Sequence, residues 1–222
     1  MSRIRVCIAV LGVLLSETAA AQISSGNDWR VPPKTAYIHA GLGGNLYYLT
    51  AGDMEALMSP FKASAVNFGY CIYAAGGFKN IGQLEMRWGR DSNKFFYDQG
   101  FTPSGDIART EIPMRFTHTQ WLIKLNTLAM SKDICRYCLF LIYGRGSVQF
   151  LDDGDDGFKD GTKTIIGIEI AKILKFSHFS VALERHQMSY ERFSISGIGE
   201  AEEQFGACAW QLIAKIGGGP GA

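Results

Sequence analysis

The chain has 222 residues, 47 % of them hydrophobic, with 22 Lys and Arg against 21 Asp and Glu and a formal charge of +1. That balance excludes a protein that holds nucleic acid through a basic surface, and no stretch reaches the roughly 18 uninterrupted apolar residues of a transmembrane helix. Aromatics at 12 % and 26 glycines point instead to strands that bend, because interior glycine in an alternating segment marks curvature or close approach.

The chain opens MSRIRVCIAVLGVLLSETAAAQ, with Arg3 and Arg5, an apolar run from Val6 to Leu15 and small residues at Ala19 to Ala21. This is the layout of a secretory signal peptide, residues 1 to 21, cleaved after Ala21. A run of about ten is too short for a membrane anchor. Removing 21 of 222 residues leaves 201, and losing Arg3, Arg5 and Glu17 leaves 20 basic and 20 acidic side chains. Residues 22 to 34, with their double proline, read as an irregular leader.

From Thr35 to Leu49 the chain alternates. Ala36, Ile38, Ala40, Leu42 and Leu46 form one face, and Tyr37, His39, Gly41, Asn45 and Tyr47 the other, the period of two that defines a strand. Residues 50 to 63 form a long connection with room for a helical turn around Met54 to Met58. A second strand, Ser64 to Ala75, sets Val66, Phe68, Tyr70 and Ile72 against Asn67, Gly69, Cys71 and Tyr73. A short turn, Gly76 to Asn80, leads to a third strand, Ile81 to Arg90, in which Leu84, Met86 and Trp88 oppose Gln83, Glu85, Arg87 and Gly89. Residues 91 to 108 read as a loop.

The fourth strand begins near Arg109 and sets Ile112, Met114, Phe116 and His118 against Glu111, Pro113, Arg115 and Thr117, its proline marking a strand end or bulge. Trp121 to Asp133 carries no clear period. The fifth strand, Cys135 to Gln149, is followed by an acidic loop, Leu151 to Gly161. Lys163 to Gln187 is a hairpin with the sharpest pattern in the chain. Ile166, Ile168 and Ile170, then Phe179, Val181 and Leu183, share an apolar face, while Glu169, Glu184 and His186 lie on the opposite one. A last strand, Gln204 to Ile216, precedes a glycine-rich tail, residues 217 to 222.

Carboxylates are poor core residues unless paired, so the oily side of these strands is expected to face lipid and the charged side the interior. The expected fold is all-β: an eight-stranded antiparallel up-and-down transmembrane β-barrel over residues 35 to 216, with long outer loops and short periplasmic turns. Tyr47, Tyr48, Trp88 and Tyr143 suit interfacial girdles. Glu85, Arg87, Glu111, Arg115, Glu169, Glu184 and His186 would then project into one narrow interior and fill it as a paired charge network.

Three stretches carry a resemblance: FGYCIYAAGGFKNIGQLEMRWGR from Phe68, TEIPMRF from Thr110 and IIGIEIAKILKFSHFSVALERHQ from Ile165. Together they resemble the small outer-membrane β-barrel proteins of Gram-negative bacteria, the porin-family or OmpX/OmpA-like group. The resemblance implies a monomer in the cell outer membrane, in contact with outer-membrane lipid and lipopolysaccharide and with a surface ligand through its long loops. It implies a structural, adhesion or surface-interaction role, not an enzyme, with no cofactor. Such barrels usually end on an aromatic residue, whereas here the last strand ends at Ile216.

Other chemistry is weaker in the sequence. His178, Ser180 and Glu184 have the residue types of a hydrolase, and a lipid-modifying enzyme is one alternative. They lie beside a short turn, however, and no G-x-S-x-G elbow occurs. Asp152, Asp153, Asp155, Asp156 and Asp160 offer hard oxygens for calcium without EF-hand spacing. Cys135 and Cys138 have C-x-x-C spacing but lack a second ligand pair for zinc, and Cys71 and Cys138 share the inward parity that a disulfide needs. A soluble, lipocalin-like barrel binding a small apolar ligand is the other alternative. It requires Ile166, Ile168, Phe179 and Val181 inside.

Overall fold

The computed structural model describes residues 37–50, 52–53, 59, 61–78, 82–101, 107–127, 138–173, 177–195, 199–201 and 204–219. The signal segment, the leader, the expected helical turn at Met54 to Met58 and Cys135 lie outside them.

Eight long strands form the wall: β1 (Tyr37–Thr50), β3 (Val66–Phe78), β4 (Gly82–Phe101), β5 (Ile107–Asn126), β6 (Cys138–Leu151), β7 (Gly157–Ile173), β8 (Ser177–Tyr190) and β11 (Phe205–Gly218). Each pairs antiparallel with its neighbours, and the pairing of β1 with β11 closes the sheet into an eight-stranded antiparallel barrel. Three short strands decorate one rim. β2 (Lys62–Ala63) adds to β4, and β9 (Arg192–Ile195) joins β7 and carries β10 (Gly199–Ala201). Closure leaves no exposed edge within the wall.

The register fixes the shape. Stepping across paired residues from Ile38 through Gly76, Leu84, Ile123, Tyr143, Ile166, Arg185 and Trp210 leads back to β1 at Tyr48, ten residues further on. A stagger of that size inclines eight strands by roughly 40° and leaves an interior just wide enough for side chains. The end of β3 at Phe78, the start of β4 at Gly82, the end of β7 at Ile173 and the start of β8 at Ser177 mark one end; β2, β9, β10 and the acidic loop mark the other.

Side chains are sorted against the habit of a soluble core. Ile38, Leu84 and Trp121 are 65 %, 62 % and 61 % exposed, while Glu85, Arg87 and Lys124 are 0 % exposed. Ile166, Ile168 and Leu183 stand on the outer face, which is opposite to what a lipocalin-like interior requires. An apolar belt this continuous has no counterpart on a water-soluble monomer, and it matches the lipid-facing band of a transmembrane barrel.

Two boundaries depart from expectation. Residues 91–101, expected as loop, continue β4, and Trp121 to Asn126, without clear period in the sequence, complete β5. Pro113 lies opposite Lys94 in the far part of that hairpin, beyond the residues of β5 that pair with β6, so its missing N–H breaks no ladder on that side.

Candidate functional site: a plugged lumen

The interior is filled in levels that follow the register. Nearest the short turns lie His39, Gln83 and His178, with His178 Nδ1 at 3.1 Å from the Tyr73 hydroxyl and His39 Nε2 at 3.2 Å from Gln83 Nε2. The two imidazoles are themselves 4.4 Å apart between centroids.

Above them lies the charge cluster. Glu85 accepts from Arg87 Nη2 at 2.7 Å, from Lys124 at 2.5 Å and from Lys215 at 2.9 Å. Glu169 accepts from the same two lysines, at 2.5 and 2.9 Å. Arg87 turns its other edge to Glu184 through two bonds of 2.9 and 3.0 Å, a bidentate geometry that suits a guanidinium and a carboxylate. His186 Nε2 lies 3.0 Å from Glu184 Oε2. Three carboxylates thus meet one arginine and two lysines, and by formal charge the cluster is neutral. Neutrality is what a buried ionic group requires, since an unmatched charge in a low-dielectric interior costs several kcal/mol.

A second polar level lies above Arg87. The Asn45 amide donates to Asp91 Oδ1. His118 Nε2 stands 3.4 Å from Asp91 Oδ2, outside hydrogen-bond geometry, and Lys163 projects toward the Phe116 ring at 5.9 Å. The Gln120 amide atoms and Lys163 Nζ are buried without a hydrogen-bond partner among the described residues. Above this level the lumen is closed by packed rings. Phe116 stacks on Tyr47 and meets Phe150, and Phe158 meets Tyr190, Phe193 and Phe205, with centroids 4.7 to 5.8 Å apart. Aromatic pairs at these separations add to the area they bury.

Of the seven residues expected inside, Glu85, Arg87, Glu169, Glu184 and His186 are brought together. Glu111 and Arg115 are not. On β5 the parity is reversed: Met114, Phe116 and His118 face inward, and Glu111 and Arg115 face out. The cause is height. Beyond the membrane the outer face meets water and takes the charges, while the inner face takes the rings, so the oily-out rule inverts partway along one strand. Glu111 pairs with Lys94 at 2.7 Å on the surface. Arg115 turns to the acidic loop, donating to the Asp152 carbonyl at 2.7 Å and approaching Asp153 and Asp155, each at 3.5 Å.

That loop is an Asx-type turn. Asp152 Oδ1 accepts from the N–H groups of Gly154 and Asp156, both at 2.8 Å. Asp160 is held by Arg192 at 2.8 Å. The acidic side chains are engaged with backbone and arginine, and among the described residues no group of three metal-ligating side chains converges. Among the described residues Ser180 Oγ has no hydrogen-bond partner and His178 is engaged with Tyr73, so these two are not paired as nucleophile and base. No disulfide joins Cys71 to Cys138. Cys71 is on β3 and Cys138 on β6, three strand spacings of about 4.8 Å apart around the wall, well beyond the roughly 7 Å limit between bridged α-carbons.

Sequence reasoning missed Lys124 and Lys215, which supply two of the three cations. Each is a lone lysine between apolar neighbours, in Leu122-Ile123-Lys124-Leu125 and Ile213-Ala214-Lys215-Ile216, and that interruption of an oily run was the available signal. Gly89 is part of the design as well. A β-carbon there would stand 2.3 Å from the His118 ring, whereas one at Gly44 would meet nothing within 4 Å. Gly89→Ala is therefore expected to cost about 1–3 kcal/mol through overpacking, and Gly44→Ala to leave the urea midpoint of the refolded barrel in place.

No family model matches the sequence, and no curated protein matches it. Among solved structures the chain is similar to the outer membrane protein OprG from Pseudomonas aeruginosa. The TM-score is 0.52 at 10 % identity over 85 % of this chain and 97 % of that one. At that identity the likeness is one of fold, and the fold is that of an integral outer-membrane β-barrel.

Proposed function

We propose that the protein is a closed barrel of the outer membrane that serves envelope integrity and surface contact through its outer rim, and neither conducts solutes nor catalyses a reaction. The observation that carries this reading is the doubly blocked lumen. A neutral ionic plug crosses it from Glu85 to Glu184, and a stack of rings from Tyr47 to Phe205 lies above. An eight-stranded interior has no width left for a water column once such side chains fill it. The outward rim, with β2, β9, β10 and the extended β4–β5 hairpin, is the surface left for a partner. Lipopolysaccharide and the outer-leaflet lipids would surround the wall, with the barrel as a monomer.

Two measurements test it. The refolded chain is expected to show heat-modifiable gel mobility and to give no swelling of liposomes in arabinose above empty controls. Swelling at the rate of an open porin would overturn the closed reading. Recovery of the exported chain in the aqueous periplasmic extract would overturn the membrane reading itself.

A further inference from the structure

The apolar belt ends unevenly. On β11, β1 and β3 it climbs to Trp210, Tyr48 and Phe68, whereas on β6 and β8 it is cut short by Arg145 and Arg185, both exposed on the outer face. Neither arginine has an ion-pair or hydrogen-bond partner among the described residues, and the outward positions of β6, β8 and β11 carry no Asp or Glu. An unpaired guanidinium on a lipid-facing wall is costly at mid-depth and tolerated near the interface, so these two side chains belong at the headgroup level and call for an anion.

Directly below Arg185 the wall is concave. An open groove of about 500 Å³ runs between Leu141, Ile166, Ile168 and Leu183 and ends against Arg185 and Trp210. Arg185 is the cross-strand neighbour of both Ile166 and Trp210, so the apolar trough leads straight to a cation and an indole. Arg145 lies two strands away across β7 and is level with Gln187, two residues beyond Arg185, which puts the two α-carbons about 12 Å apart by strand spacing and rise, with Thr164 beside Arg145 in register.

We propose that this face of β6, β7, β8 and β11 is a binding site for a phosphorylated glycolipid of the outer leaflet. One acyl chain fills the groove, and two sugar phosphates engage Arg185 and Arg145. Two cations about a disaccharide's length apart fit a lipid phosphorylated at both ends better than a glycerophospholipid with a single phosphate. Guanidinium groups grip such phosphates bidentately, and Trp210 sits where an indole favours the interface. The proposal rests on the membrane reading above.

The test is native mass spectrometry of the full chain refolded in detergent micelles. Bis-phosphorylated lipid A, its dephosphorylated form and phosphatidylglycerol are supplied at equal mole ratio. Lipid A is expected to give at least tenfold more adduct than either competitor. Arg145→Ala/Arg185→Ala is expected to abolish that preference, and Arg90→Ala, on the far side of the wall, to keep it. Leu183→Trp fills the groove while both arginines stay in the chain and is expected to weaken the adduct as well. Equal binding of phosphatidylglycerol or of the dephosphorylated lipid, or an unchanged preference in the double variant, would overturn the site. Heat-modifiable mobility of each sample separates these outcomes from a failure of the barrel reading, which would appear as its loss in the wild-type chain.

Discussion

Glu85→Gln is expected to destabilise the folded barrel by about 3–5 kcal/mol, the range for removing one partner of a buried ionic group. Glu85 is the hinge of the cluster, because Arg87, Lys124 and Lys215 all donate to it and it is wholly buried. The amide keeps the shape and deletes the charge, leaving three cations facing two carboxylates where water cannot screen them. The effect is therefore one of charge balance, and it can be reversed. Adding Lys124→Met to Glu85→Gln restores neutrality, and the double variant is expected to recover at least half of the lost stability. Glu111→Gln is the contrasting case. Its partner Lys94 is 45 % exposed and Glu111 itself 41 %, and exposed pairs are worth about 0–1 kcal/mol. Urea titrations followed by tryptophan fluorescence, with heat-modifiable mobility as the check on folding, measure all three. Equal midpoints for Glu85→Gln and Glu111→Gln would show that the ionic plug contributes nothing to holding the wall together.

The contrast between Glu85 and Glu111 also shows what the sequence could and could not reveal. Within the membrane the two faces of a strand differ in chemistry, so Leu84, Met86 and Trp88 against Glu85 and Arg87 could be read directly, as could the Ile166 to Leu183 hairpin. Seven of the eight wall strands were legible on that basis; β5 was recognised only from its far half, with the parity reversed, while Trp121 to Asn126 showed no clear period. Above the membrane both faces carry mixed side chains. Asp91, Asn93 and Phe95 point in while Ser92, Lys94 and Phe96 point out, and no period of hydrophobicity separates them. That mixture is why the far half of β4 read as loop, and why the parity at Glu111 and Arg115 came out reversed. The aromatic cap was hidden for a related reason: Phe95, Phe150, Phe158 and Phe205 come from four strands and meet only once the register is known. The outer groove is equally a product of closure, since Leu141, Leu183 and Trp210 become neighbours only through the pairing of β6 to β11 around the wall.

Ile168→Arg is expected to cost about 2–4 kcal/mol in a bilayer, the penalty for a cation at mid-depth on a lipid-facing strand. Ile168 lies on the outer face of β7 between Leu141 and Leu183 and is 45 % exposed, so the substitution meets no protein atom that must move. Thr162→Arg, three outward positions higher on the same strand, is expected to cost about 0–1 kcal/mol, because its side chain stands near or above the level of the Arg185 girdle. The discriminating variable is the lipid. Refolded into vesicles of progressively shorter acyl chain, the barrel should show the gap between the two variants shrinking as the hydrocarbon layer thins and brings water closer to residue 168. A residue buried in a protein core would register the same penalty whatever surrounds the molecule. A gap that stays constant from long-chain to short-chain lipid would therefore mean that Ile168 packs against protein, and the assignment of the oily face to the bilayer would fail with it.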